Sequence, residues 1–578
     1  MKHIWNVSTS PRTPSKIKAE LAALQPYHGK TWDREAQRQF TETLKTLKNF
    51  EGQGSTGNET FTARDRVKGM KTYGFVFHDR PTHILTITPA GMALIASTPA
   101  EEQEIFLRQL LKWQFPSPQH SDSDYAVRNM FGVRGFDLKP LILVMRVAKG
   151  VGGITKFEAA MAVLPTIKTS YANKVMLFIR DTRALIASLR PGVSRKQFRK
   201  LALRVVYENL SATPKSGLDY ADALFRLMRH TGLFTIDGNR LVIAPARADD
   251  VDKILAITWP LRKDWDDGRS FYAYFGAAGT PKLPWDDAPL LRVRVRTVIA
   301  RIEELSATWP AVNAAVRAQL PTAPEIDAAN VATLKTIFAS LDDLLRQAGL
   351  ASLIGQLRTP SGMSEVAQHF DRILDRDDDV YDPPMQLEWN LWRAILALDH
   401  TDKVFGNFTM DSNLQPMTRA GGNQADGVAN FDEFAVLLEA TLLSGRTQFA
   451  RETEPVVFHT AKQIAKLRAA GDLRPVYTLC VAPSIHINSA QYFLNTAKGV
   501  VPVPDLEEPA LVVPLSISQV KALLIGRAGR GPFQQADIAG FFSAVETAAR
   551  ETTNASLWLQ SITQEVERLA APEVEPAA

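Results

Sequence analysis

Apolar positions along the chain follow two rhythms, one at helical spacing and one in short continuous runs, and their order divides the sequence into regions. Thr62-Ala-Arg-Asp-Arg-Val-Lys-Gly-Met-Lys-Thr-Tyr has helical spacing; Gly74-Phe-Val-Phe, a turn at His78-Asp-Arg-Pro and the apolar run Ile84-Leu-Thr-Ile-Thr-Pro follow it. Helix, strand, tight turn, strand predicts a winged-helix-like subdomain. The same order returns with a helix from Tyr220 to Thr231, then Gly232-Leu-Phe-Thr-Ile, a turn at Asp237-Gly-Asn, and Arg240-Leu-Val-Ile-Ala-Pro. In both copies a Gly precedes an aromatic-containing strand and a Pro closes the second strand, which reads as a duplication. The intervening Lys149-Gly-Val-Gly-Gly lacks the Lys-Ser/Thr ending of a phosphate loop and reads as a turn.

From about residue 261 to 380 the pattern changes to long amphipathic segments, Leu290 to Glu304, Val331 to Ala348 and Ser364 to Arg376. These predict a helical connector, ended by a solvated linker at Asp375-Arg-Asp-Asp-Asp and Tyr381-Asp-Pro-Pro. Beyond it come a helix from Met385 to Leu398, a buried strand at Phe434-Ala-Val-Leu-Leu, and a helix from Val456 to Ala470. Two further apolar runs, Val476 to Ala482 and Ala510-Leu-Val-Val-Pro-Leu, read as strands, so this region predicts a mixed sheet flanked by helices. The expected layout is a multidomain α+β protein: winged-helix-like recognition subdomains at 1–165 and 166–260, a helical linker at 261–380, and an α/β domain at 381–578. A chain of 578 residues is too long for a single core. The tail from Ala571 is expected to be disordered.

Composition, with 45% hydrophobic and 22% charged residues, is that of a globular protein. The net charge of +5 conceals an asymmetry: residues 1–250 hold 37 Lys+Arg against 22 Asp+Glu, and the remainder 30 against 40. The basic half suits displacement of counterions from a nucleic-acid backbone, and a basic surface serving only solubility stands beside that reading. Arg64, Arg66, Lys68 and Lys71 lie at spacings that place several on one side of the first recognition helix. The run Arg195-Lys-Gln-Phe-Arg-Lys, with Arg195, Lys196 and Arg199, forms a second cluster, suited to phosphates and equally to a solvated helix face. The single cysteine, Cys480, lies in an apolar run and reads as a buried strand residue in a reducing cytoplasm. The start of the sequence has no apolar signal region and later apolar runs are broken by charge, so a cytoplasmic protein without a membrane span is expected.

The chemistry-bearing stretch runs from Gly422 to Val456. Asp426 follows a turn-prone Gly-Gly-Asn-Gln, Glu439 stands thirteen positions later at the end of the predicted strand, and Glu452 thirteen later again. Two or three convergent carboxylates suit Mg²⁺ and phosphodiester chemistry; by spacing alone, solvated acids flanking a core strand fit as well. The run G-N-Q-x-D, L-x-E-x-T-x-x-S-G-x-T-Q-F, E-x-E-P-V resembles the catalytic region of the AlwI family of type IIS restriction endonucleases, which includes site-specific nicking enzymes. Thr62 to Phe77 and the block Phe106 to His120, which contains Lys112, resemble that family's recognition region in the same order.

The resemblance implies a PD-(D/E)XK-like nuclease core and a catalytic set of Glu388, Asp426, Glu439 and Glu452, with Asp426, Glu439 and Glu452 as Mg²⁺ ligands. It extends the DNA-contacting set to Lys112. It also implies cleavage of double-stranded DNA outside a short asymmetric site, leaving a 5′-phosphate and a 3′-hydroxyl. One acidic constellation addresses one phosphate, so a monomer would nick, and second-strand cleavage would need a second copy or a small nuclease subunit. The motif lysine is absent: the strand reads Glu439-Ala-Thr441, which leaves water activation to metal alone, to a second ion held by Glu452 and Glu388, or to a residue such as Gln448 or Lys462. The competing reading is a winged-helix DNA-binding protein with a non-catalytic nuclease-like domain.

Overall fold

A strand buried on both faces carries no polar alternation, and a strand with one wet face does; the chain contains both kinds. The computed structural model describes residues 4–5, 7–47, 50, 59–79, 81–117, 136–210, 212–262, 268–307, 310–375, 380–401, 403–422, 424–501 and 508–571. Arg80 of the first tight turn, the last three residues of the Phe106 to His120 block, the acidic run at 376–379 and the tail at 572–578 lie outside the described residues.

Two units divide the chain. The first comprises residues 1–302, 319–345 and 411–415; the second comprises 303–318, 346–410 and 416–578. The segment expected as a connector is helical, with helices Ala288–Ala307, Val331–Leu357 and Pro360–Leu374, and it is shared between the two units.

The first unit holds two small antiparallel sheets. Strand β1 (Lys30–Thr31), helix α1 (Glu59–Thr72), β2 (Val76–His78) and β3 (Ile84–Ile87) form the first, in the order β1-β3-β2, with Val76 opposite Ile87. After helix α2 (Pro99–Lys112), strand β4 (Ile154–Thr155), helix α3 (Arg195–Tyr207), helix α4 (Pro214–Arg229), β5 (Phe234–Asp237) and β6 (Arg240–Ile243) follow, and their sheet runs β4-β6-β5. Each hairpin thus gains a third short strand from far upstream. The glycine before each hairpin takes the left-handed conformation, Gly74 at φ +79° and Gly232 at φ +71°, which lets the helix end and the strand begin. At Gly74 a Cβ would also come within 2.6 Å of the Gln109 amide.

The second unit is built on helix α5 (Pro383–Leu398) and a five-stranded mixed sheet of β7 (Val404–Gly406), β8 (Gly427–Asn430), β9 (Ala435–Ala440), β10 (Val476–Ala482) and β11 (Leu511–Ser516), in the order β11-β10-β9-β8-β7. β9, β10 and β11 are parallel, while β7, β8 and β9 are antiparallel. The parallel strands are the unbroken apolar runs, as strands covered on both faces require. Pro514 falls in β11, an edge strand, where a missing ladder donor is tolerated. Trp392, Phe434, Val481, Val513, Phe542 and Trp558 belong to the core around this sheet, and Cys480 is buried in β10 opposite Glu439. Helix α6 (Gly445–Ala469) joins β9 to β10 and begins eleven residues before the Val456 expected from periodicity. Pro455, which suits a helix start, here lies inside the helix, where it cannot bond the carbonyl of Arg451. No described helix is long and apolar enough to cross a membrane.

Candidate active site

Four carboxylates reach one end of the mixed sheet from four separate places in the second unit. Glu439 is the penultimate residue of β9, held by pairing on both sides of that strand. Asp426 immediately precedes β8. Its N–H donates to the Leu438 carbonyl at 3.0 Å and its carbonyl accepts from the Asn407 N–H at 2.8 Å. Its carboxylate accepts from the Ala440 N–H at 2.7 Å, so backbone geometry turns the side chain toward the end of β9. Glu388, in the second turn of α5, accepts from the Ala420 N–H at 2.9 Å. Glu452 lies on α6 and is hydrogen-bonded by the Thr441 hydroxyl. His459 is seven residues beyond Glu452 on the same face of α6 and sets its Nδ1 2.7 Å from Glu439 Oε1.

The electrostatics show that these acids feel one another. Burial and the Asp426 charge push Glu388 up to about 8. Burial, then the Glu439 charge, holds Asp426 well above the usual carboxylate range, against the Ala440 N–H and Arg419. Burial, then Glu452 and Glu388, does the same to Glu439. Glu452 is raised by burial and eased by Thr441 and His459, and His459 is lowered by burial and then by the Lys462 ammonium. Like charges gathered out of water cannot all ionise unless positive charge joins them. The arrangement is therefore an acceptor-rich cluster that favours protons or cations.

Sequence reasoning missed His459. The signal for it was the seven-residue step from Glu452, which has meaning only when both residues share a helix, and a helix start at Val456 cuts that helix short.

The family model of the AlwI restriction endonuclease matches residues 71–523. The chain belongs to the AlwI restriction endonuclease family. Among solved structures it is similar to the small subunit of the heterodimeric restriction endonuclease R.BspD6I, at 22% identity over 36% of this chain and 99% of that one, with a TM-score of 0.29. It is also similar to the BpuJ1 endonuclease binding domain in complex with modified DNA, at 14% identity over 45% and 90% with a TM-score of 0.32. The restriction endonuclease FokI aligns at 11% identity over 91% of each chain, with a TM-score of 0.23. No curated protein matches the chain.

In this AlwI-family enzyme the cations singled out by sequence fall into two groups. Arg64 and Lys68 are exposed one turn apart on α1, with Arg64 Nε also donating to the Thr60 carbonyl. Arg195 and Lys196 are exposed on α3, and Arg199 beside them is half-buried. Lys71 is half-buried. Arg66 is buried, 2.8 Å from Glu20 and stacked over the Phe50 ring. Lys112 is fully buried, donates to the Ala277 carbonyl at 2.7 Å, and is pulled down to about 7 by burial. The phosphate contacts expected of Arg66 and Lys112 thus have no exposed group to make them. Conversely, α3 continues past Arg199 with exposed Lys200, the last residue of the cluster read from the sequence, and with exposed Arg204, which the sequence pattern does not single out.

Of the two side chains considered as substitutes for the motif lysine, Gln448 is fully used. Its amide donates to the Leu443 and Ser484 carbonyls and accepts from the His486 N–H.

Proposed function

We propose that this AlwI-family enzyme is a type IIS, site-specific DNA endonuclease that hydrolyses one phosphodiester outside a short asymmetric site, with Mg²⁺, and nicks one strand as a monomer. The observation that carries the reading is the convergence of Glu388, Asp426, Glu439 and Glu452, half-buried or buried and each but Glu452 raised by the charge of another. The winged-helix-like order of helix and paired strands in the first unit, with exposed Arg64, Lys68, Arg195 and Lys196, supports assigning it to DNA recognition. The mixed sheet carrying the acids supports assigning the second unit to a PD-(D/E)XK-like core.

The acid set fits Mg²⁺. Among the described residues no three His, Cys, Asp or Glu side chains form a ready-made cage for an ion. A hydrated Mg²⁺ needs only one or two carboxylates beside water and substrate phosphate, and Asp426 with Glu439 is such a pair. When bound, the ion lowers the pKa of a water and offsets charge on the phosphate. Asp426 is aimed by the Ala440 N–H, and Glu439 by His459. Glu452 and Glu388 complete the acceptor ring. With Nδ1 turned to Glu439, His459 leaves Nε2 as a lone pair able to take a proton from water. The water oxygen bonds to phosphorus, the bond to O3′ breaks, and protonation of that oxygen yields the 3′-hydroxyl and a 5′-phosphate.

A single constellation addresses one phosphate at a time. The test is a supercoiled plasmid carrying one target site, titrated with purified protein in Mg²⁺, with run-off sequencing of both strands. Open circles should accumulate first, with linear product absent or rising steeply with protein concentration, as recruitment of a second copy or a small nuclease subunit would require. No cleavage in Mg²⁺, or immediate linear product independent of concentration, would reject the reading.

A further inference from the structure

A loop that serves a catalytic site is only as exact as the contacts that pin it, and partners one step removed from the reacting atoms set that precision. The stretch from Arg419 to Asp426 forms no helix or strand among its described residues, and it is pinned at both ends by groups of the second unit. At its far end Asn407 donates its side-chain amide to the Ala425 carbonyl at 2.8 Å and its N–H to the Asp426 carbonyl at 2.8 Å. At its near end two consecutive residues are held from the start of α5. Asp382 Oδ1 accepts from Arg419 Nε at 3.2 Å and Nη2 at 2.6 Å, and Glu388 Oε2 accepts from the Ala420 N–H at 2.9 Å.

Asp382 serves this contact and not its own helix. It stands at the N-cap of α5, where an aspartate ordinarily caps with its carboxylate, yet its side chain makes no cap hydrogen bond. The residue is buried at φ +46° and ψ 72°, in the left-handed region. That conformation costs an L-residue energy and persists where surrounding contacts impose it. The carboxylate is turned to Arg419 instead, and the Arg419 guanidinium lowers both Glu388 and Asp426, which puts it within electrostatic reach of two of the four acids.

We propose that Asp382 and Arg419 are a positioning pair for the acid site: their ion pair fixes the loop at Arg419 and so brings the Ala420 N–H to Glu388. The assignment rests on the endonuclease reading above. Neither residue is assigned a contact with the reacting atoms; both act through Glu388 and the loop that leads to Asp426.

The experiment compares Asp382→Ala, Asp382→Gly, Asp382→Asn, Arg419→Ala and the double variant Asp382→Ala, Arg419→Ala with the wild-type chain. Single-turnover cleavage is measured in Mg²⁺ at saturating protein, DNA affinity in Ca²⁺, and Tm for each variant. Asp382→Ala and Arg419→Ala should each slow cleavage by about 10- to 100-fold, the range for losing a partner that orients a site carboxylate, with DNA Kd within about threefold. The double variant should fall within about threefold of the slower single one, because the two halves of one contact are lost only once. Glycine takes the left-handed conformation without strain and brings no carboxylate, whereas asparagine tolerates it and keeps an acceptor for Arg419. Asp382→Gly should therefore be as slow as Asp382→Ala, and Asp382→Asn should recover most of the rate; a role confined to starting the helix would be met by glycine as well. Where the Asp382 variants fail to fold, Arg419→Ala carries the test, because that side chain is exposed. If the wild-type chain cuts and either Asp382→Gly or Arg419→Ala cuts nearly as fast, or if the two single losses multiply in the double variant, the positioning pair is overturned while the endonuclease reading stands. If the wild-type chain fails to cut, the endonuclease reading itself falls.

Discussion

Charge is arranged in opposite ways in the two units. In the second, four carboxylates are drawn together and partly out of water, three of them with an oxygen fixed by a main-chain N–H or a histidine: Asp426 by Ala440, Glu388 by Ala420, Glu439 by His459. In the first, α3 spreads Arg195, Lys196, Lys200 and Arg204 over solvent-facing positions. The gathered carboxylates raise one another's pKa, so the fold bears an electrostatic cost that only a proton or cation relieves. Exposed cations bear no such cost, and each adds a similar, salt-sensitive increment to polyanion binding. The acid site should therefore fail all at once when one member is removed, and the basic face should weaken by degrees.

The sharpest break in that contrast would come from Asp426→Ala and Glu439→Ala. Each should lower cleavage by about 10³-fold or more while leaving sequence-specific DNA binding intact, as expected when members of one catalytic set act together. Near-wild-type cutting by either variant in Mg²⁺ would remove the site assignment. The graded side is tested with the triple variant Arg195→Gln, Lys196→Gln, Arg199→Gln. Its binding should weaken by roughly tenfold or more near 0.1 M salt, and its log–log salt slope should become shallower by about 0.9 for each phosphate that is no longer neutralised. An unchanged slope would show that α3 faces solvent rather than DNA.

Lys112→Met separates buried from exposed cations. It should leave the salt slope as in wild type and destabilise the chain by about 1–3 kcal/mol, because the Ala277 and Tyr274 carbonyls lose their donor. A shallower slope with unchanged Tm would mean that Lys112 reaches DNA after all.

The smallest expected effect is a pH dependence set by His369, buried beside Gln386 and lowered by burial to about 4. A histidine depressed in the fold contributes stability that is full above its unfolded value near 6.5 and declines as pH falls from there toward 4. Between pH 7 and 5.5 this amounts to about 1 kcal/mol, which His369→Gln should abolish from the Tm–pH curve. A curve of the same slope in that variant would assign the loss to other groups.

Local pattern by itself determined the runs that became β9, β10 and β11, the burial of Cys480, the helix carrying Glu388, the thirteen-residue steps between the acids, and the concentration of positive charge in the first 250 residues. Each is a property of neighbours in the chain, and an apolar run must be buried somewhere whatever its partner. Tertiary structure decided the rest. Arg66 has the same sequence character as Arg64, yet it turns inward because Glu20, 46 residues away, waits there; Lys112 does so because the Ala277 carbonyl lies 165 residues off. The third strands β1 and β4 likewise join their hairpins only through distant pairing, and α6 runs through Pro455 to bring His459 onto the face of Glu452. A period in the sequence marks which residues share a face, and only the packed chain settles whether that face meets solvent, a carbonyl or a carboxylate.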